Sequence, residues 1–115
     1  MSKPVGPYTP IVRAGEWLVT SGQIGIADGV LADGFESQLR QAMANLEGLL
    51  VGEQASLSQV IKTTVFLVDM SVYAEMNAIY TELFGDHRPA RSAVAVAALP
   101  LGALVEIEAV AYVGS

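Results

Sequence analysis

The stretch Val60-Ile61-Lys62-Thr63-Thr64-Val65-Phe66-Leu67-Val68 decides how this chain folds. β-Branched and aromatic residues dominate it, and apart from Lys62 and two threonines it is apolar on both faces. Such a run belongs inside a sheet. The segments on either side of it carry a different period. Upstream, Leu39, Ala42, Met43, Leu46, Leu49 and Leu50 follow the i, i+3, i+4, i+7 spacing of a one-sided helix, which Gly52 can end. Asp33 with Glu36 three residues on resembles a capping box, although Ser or Thr is the usual N-cap. Downstream, Tyr73, Met76, Ile79, Tyr80, Leu83 and Phe84 form a second stripe, with Ser71 as its expected cap and Gly85 suited to C′.

Outside the helices the chain reads as strands again. Arg91–Ala98 and Leu104–Val113 are β-prone and joined by Leu99-Pro100-Leu101-Gly102. Near the N-terminus, Ile11-Val12-Arg13, a turn at Gly15 and Trp17-Leu18-Val19-Thr20 predict a hairpin. Ser21 to Ile26 continues extended, with Gly22 marking a bulge or a close backbone approach, and Ala27-Asp28-Gly29 is a turn. Residues 4–10 hold three prolines and cannot form a central strand. The expected order is β-β-β-α-β-α-β-β, an α+β architecture with two helices on one face of a mixed sheet. Residues 1–115 are expected to form a single domain. Two helices leave the other face of the sheet open, and the methyl-lined run Ala93, Ala95, Ala97 lets another layer approach closely. A subunit interface is expected there.

Composition narrows the function. Charged residues make up 16% of the chain and apolar residues 52%, against roughly 25% charged in typical globular domains. A soluble chain this apolar is expected to hide surface against copies of itself. Lys62, Asp69, Arg91 and Glu106 interrupt every apolar run, so no membrane span is expected. The formal net charge is −6 with six Lys and Arg in all, and the clustered cations that nucleic-acid binding requires are missing. Zero cysteines exclude disulfides, thiolate metal sites and a Cys nucleophile, and one histidine excludes multi-His sites. Met1 to Gly6 lack the apolar core of a signal peptide, which makes the cytoplasm the default location.

With so few cations, Arg91 is the most informative residue. It opens a small-residue strand just after Pro89, and a guanidinium fixed there is a planar fork suited to a carboxylate or phosphate. Glu106 and Glu108 stand inside the last apolar strand, so a purely structural Arg–Glu pair is the competing reading. Asn77 lies one step round the second helix from its apolar stripe, either simply exposed or offering an amide to a ligand. Tyr8, between Pro7 and Thr9-Pro10, reads as packing, with a rim aromatic or a fixed hydroxyl as the alternatives. His87 in Gly85-Asp86-His87-Arg88 reads as a solvated turn residue, and nothing makes it a base for Ser21. Gly-rich phosphate loops and nucleophile elbows are absent. From the residues alone, Arg91 is either anion-recognising or structural in a small oligomeric α+β domain.

The ordered set Gly6-Pro7-Tyr8-Thr9-Pro10, Ser21-Gly22-Gln23-Ile24, Asn45-Leu46, Val60 to Leu67, Asn77-Ala78-Ile79-Tyr80, Pro89-Ala90-Arg91-Ser92 and Glu106-Ile107-Glu108-Ala109 resembles the Rid family. These are the YjgF-type reactive-intermediate deaminases, also called the UK-type or L-PSP endoribonuclease family. The resemblance implies a chorismate-mutase-like fold and a homotrimer with a central barrel and three sites between subunits. It implies hydrolysis of 2-imino acids, or their enamine tautomers, to 2-oxo acids and ammonia. Arg91 would bind the substrate carboxylate, and Glu106 would activate water or shuttle a proton to the departing ammonia. Tyr8 and Asn77 would line the pocket, Ser21 and Gly22 would supply hydroxyl and backbone contacts, and Ala93 would stand where many members carry Cys. No metal, cofactor or covalent nucleophile is implied, because an iminium carbon is already electrophilic. The family also contains members described as ribonucleases, and a pocket of this kind could bind small carboxylates without turnover.

Overall fold

The computed structural model describes residues 6–114. Pro4, Val5 and the leader-free reading of the first residues lie outside the described residues. The N-terminal hairpin forms as the sequence predicts, with β1 (Ile11–Ala14) and β2 (Trp17–Thr20) turning at Gly15, whose φ is 60°. The extended run after it divides into β3 (Gln23–Ile24) and β4 (Ile26–Ala27). β4 pairs with β5 (Val30–Leu31) around Asp28 and Gly29, both at positive φ. Then come α1 (Phe35–Gly52), β6 (Val60–Leu67), α2 (Tyr73–Phe84), β7 (Ala90–Ala95) and β8 (Val105–Tyr112).

The main sheet runs β1-β2-β8-β6-β7, with β3 also on β8. β6 and β7 are parallel and the remaining pairs antiparallel. The Val60–Leu67 run therefore sits between two neighbours, as its apolar faces require. The register between β6 and β8 shifts between Val60 and Lys62. That bulge explains why Val60 and Thr63, three apart, both turn to the helices.

Both helices cover one face. From that side Val60, Val65 and Leu67 of β6 and Val105, Ile107, Ala109 and Ala111 of β8 join Leu39, Met43, Leu46 and Leu50 of α1 and Met76, Ile79, Tyr80 and Phe84 of α2 in one core. Thr63 is fully buried among them, and its hydroxyl is matched by the Tyr80 hydroxyl at 2.7 Å. That partner offsets the cost of burying two polar groups. Gln38 ties α1 to the sheet, with its amide nitrogen donating to the Ala32 carbonyl at 3.0 Å and its oxygen accepting from the Leu104 backbone at 2.8 Å. The Asn45 amide donates to the carbonyls of Ile24 and Ile26 at 3.1 and 2.8 Å, where the chain leaves β3.

Three local expectations are corrected. Asp33 caps nothing: α1 starts behind Gly34, whose φ of 88° takes the chain into the helix with no side-chain cap. Ser71 is not the cap of the second helix either. A 3₁₀ turn, Met70–Val72, precedes α2, and Asp69 is its cap, accepting from the Ser71 backbone at 2.9 Å. β7 ends at Ala95, before Ala97 and Ala98. Its neighbour β6 also ends two residues after the pairing of Val65 with Ala93, so the ladder has no further partner.

The alanine reading needs revision as well. Ala93 lies beside Val65 on the helix side and packs against the core, so the small-residue face of β7 is turned to the helices. The uncovered face is built instead from Val12, Trp17, Val19, Thr64, Phe66, Ser92, Val94, Glu106, Glu108, Val110 and Tyr112, as the pairing registers require. Trp17 and Val19 are each 45% exposed there, more than an apolar sheet face leaves open unless something else covers it.

Candidate functional site

Arg91 starts the edge strand β7, where the parallel register sets it beside Thr63 and turns it to the helix side. Three residues of α2 surround its guanidinium. Nη2 donates to the Tyr73 hydroxyl at 3.0 Å, and Nη1 lies 3.6 Å from the Met76 sulfur. The Tyr80 ring centre is 5.0 Å from Cζ, within cation–π range. Among the described residues Arg91 makes no ion pair. No structural Arg–Glu pair forms at Arg91 among the described residues, so no carboxylate there occupies its donors. Ala93 follows on the same face of β7. Asn77 is half-buried on the flank of α2 that carries Tyr73 and Tyr80, with no side-chain hydrogen bond among the described residues.

Glu106 belongs to a second cluster. It stands on β8 opposite Ile24 of β3 and Phe66 of β6, half-buried on the uncovered face. Burial, and secondarily the neighbouring Glu108 charge, raises its carboxyl above the usual glutamate range. Gly22 lies directly against it: a β-carbon at position 22 would stand 2.6 Å from the Glu106 Cδ. The sequence signal at Gly22 thus marks a close approach to a carboxylate, and any side chain there would displace it. The Ser21 hydroxyl donates to the Thr9 carbonyl at 2.7 Å and its backbone N–H to the Pro10 carbonyl at 2.8 Å. Ser21 thereby pins the segment that carries Tyr8, which is 42% exposed.

The predicted residues therefore fall into two groups, Arg91, Ala93 and Asn77 in one and Tyr8, Ser21, Gly22 and Glu106 in the other. Arg91 pairs with Thr63 and Glu106 with Phe66, three residues apart on the intervening strand and turned to opposite faces. Strand spacings put their backbones roughly 14 Å apart, from a rise of about 3.3 Å per residue and about 4.8 Å per strand. Within one chain they cannot grip the same small molecule.

His87 is also corrected. Its ring is half-buried, and Nε2 donates to the Val60 carbonyl at 2.6 Å, so the residue fastens the loop before β7 to the start of β6. The Tyr73, Met76 and Tyr80 setting of Arg91 was missed because their spacing reads as an apolar stripe. Two hydroxyls within that stripe were the available signal. Among the described residues no group of three His, Cys, Asp or Glu could hold a metal ion, and no helix is long and apolar enough to cross a membrane.

Comparison with known proteins adds the following. The profile of the family described as Endoribonuclease L-PSP matches residues 1–113. A RutC family protein of Pyrococcus horikoshii is 45% identical over 113 residues, 96% of this chain and 90% of that one. A Salmonella typhimurium protein named 2-iminobutanoate/2-iminopropanoate deaminase is 38% identical over 112 residues, 93% of this chain and 88% of the other. The crystal structure of RidA from an Antarctic Psychrobacter superposes with a TM-score of 0.94 at 37% identity, covering 96% of this chain and 91% of that one.

Proposed function

This chain belongs to the L-PSP endoribonuclease, or Rid, family, and from that premise we propose that it is a hydrolytic deaminase of small 2-imino acids. The observation that carries the reading is a guanidinium free of any carboxylate among the described residues, paired in sequence with a half-buried glutamate of raised pKa. Deaminases of this type have a homologue here at 38% identity. The substrate carboxylate is held in the plane of the Arg91 fork by charge-assisted hydrogen bonds. Glu106 takes a proton from water as the water oxygen bonds to C2, giving a carbinolamine. It then returns that proton to the nitrogen, and as the C2–N bond breaks the carbinolamine hydroxyl gives its own proton to the freed Glu106 carboxylate, releasing ammonia and the 2-oxo acid.

Arg91 and Glu106 lie on opposite faces of one sheet, so the site we propose is completed between subunits. The Arg91, Ala93 and Asn77 group of one protomer meets the Tyr8, Ser21, Gly22 and Glu106 group of another. A trimer packed through the uncovered faces, as a central barrel, supplies such a junction and covers Trp17 and Val19. Light scattering at micromolar concentration is then expected to give about three times the 12.1 kDa chain mass. A monomer would remove the composite site.

The function is tested by coupled turnover. An amino-acid oxidase generates imines from alanine and 2-aminobutanoate, and their decay is followed with and without the protein. Acceleration at substoichiometric amounts is expected without added metal or cofactor. Binding of 2-oxobutanoate without acceleration would instead mark a sensor of small carboxylates. The family's ribonuclease designation suggests a second reading, a ribonuclease or translation inhibitor. A net charge of −6 opposes it, since backbone binding needs positive surface. RNA binding that weakens with salt would favour it.

A further inference from the structure

Arg91 is held by groups that carry no negative charge. A carboxylate partner would fix the guanidinium equally well but would occupy its donors and cancel its charge. The three side chains from α2 avoid this. The Met76 thioether and the Tyr73 hydroxyl oxygen are neutral acceptors, and Tyr80 presents a ring. Their own placement is settled by other contacts. The Tyr80 hydroxyl is taken by Thr63 at 2.7 Å, which stops its ring from turning away. Met76 is fully buried. Tyr73 is the first residue of α2, directly after the turn that Asp69 caps, so its backbone is set by that cap.

Tyr73 differs from the other two. At 39% exposure it is the least buried of the three, so burial holds its side chain less firmly than it holds Met76 or Tyr80. Its ring centre is 5.5 Å from Cζ while its oxygen is 3.0 Å from Nη2. The hydroxyl therefore reaches the guanidinium more closely than the ring face does. We propose that Tyr73 is a positioning residue, whose hydroxyl sets the plane of the Arg91 fork without neutralising it. This rests on reading Arg91 as the group that binds the substrate carboxylate.

The test is Tyr73→Phe in the full-length protein, which keeps the ring and deletes the acceptor. Calorimetric Kd for 2-oxobutanoate and KM for the imine are expected to rise together, by something on the order of tenfold for a lost hydrogen bond to a charged group. kcat should stay within about twofold and the melting temperature within about 2 °C, since the hydroxyl acts on ground state and transition state alike. Unchanged Kd and KM in Tyr73→Phe, with binding lost in Arg91→Ala, would overturn the role of Tyr73 and leave the carboxylate reading standing. Retained binding in Arg91→Ala would overturn both. A Tyr73→Phe protein that loses affinity only together with melting temperature and assembly would show the hydroxyl to be structural, which also overturns the proposal.

Discussion

Arg91→Ala is expected to yield a folded protein that hydrolyses no imine measurably. Two charge-assisted hydrogen bonds to a carboxylate contribute roughly 1.5–3 kcal/mol each, so their removal corresponds to a loss of about 10²–10⁴-fold before misorientation is counted. Folding should be affected far less. Arg91 has no ion-pair partner among the described residues, so its removal leaves no buried charge unpaired. What is lost is the contact with Tyr73, Met76 and the Tyr80 ring, of which a cation–π contact is worth about 1 kcal/mol. Arg91→Lys should be nearly as inactive, because an ammonium cannot reproduce a two-point planar fork. Turnover and melting temperature measured on one Arg91→Ala preparation decide the matter. An unstable protein of normal specific activity would mean that Arg91 is structural.

Glu106→Gln has the second large expected effect, a fall in kcat of about 10²–10⁴-fold, the usual contribution of a positioned acid or base. Its stability signature has the opposite sign. Folding raises the Glu106 pKa, chiefly through burial and then through Glu108. The protonated form is thus favoured by the fold, and the associated stability, complete below the ordinary glutamate pKa, is lost as pH rises through the raised value. At neutral pH the glutamine protein should melt at or above the wild-type temperature. The gap should close as the medium is acidified through the raised value and into the ordinary glutamate range, below which the carboxyl is protonated in folded and unfolded wild type alike. Glu108→Gln is the control. It shares the face of Glu106, two residues along β8, but stands opposite Thr64 rather than against Gly22. If the Glu108 variant loses turnover while the Glu106 variant keeps it, the acid–base role belongs to the other carboxylate.

Much of the fold was legible because period and residue type are local properties. Val60–Leu67 announces an internal strand by being apolar on both faces, and both helices emerge from their stripes with ends close to those observed. The failures are at the junctions. Asp33, Ser71 and His87 were each read from a short window. Their actual roles depend on Gly34, on Asp69, and on a carbonyl 27 residues away in sequence. A cap or turn residue takes whichever partner the third dimension brings, and composition carries no record of that choice.

The site divides in the same way. Pro89-Ala90-Arg91-Ser92 and the glutamates of β8 identify the cation and carboxylate by residue type, and Gly22 signals a close approach before its neighbour is known. The sequence by itself determined these chemical identities and the α+β order of elements, since both follow from side-chain chemistry and spacing along the chain. Only the tertiary structure decided that Arg91 and Glu106 turn to opposite faces of the sheet, that Ala93 of β7 faces the helices, and that Arg91 is held by Tyr73, Met76 and Tyr80. Facing in a sheet has a period of two, so one bulge or one register step reverses it, and the bulge between Val60 and Lys62 is visible only when the strands are paired.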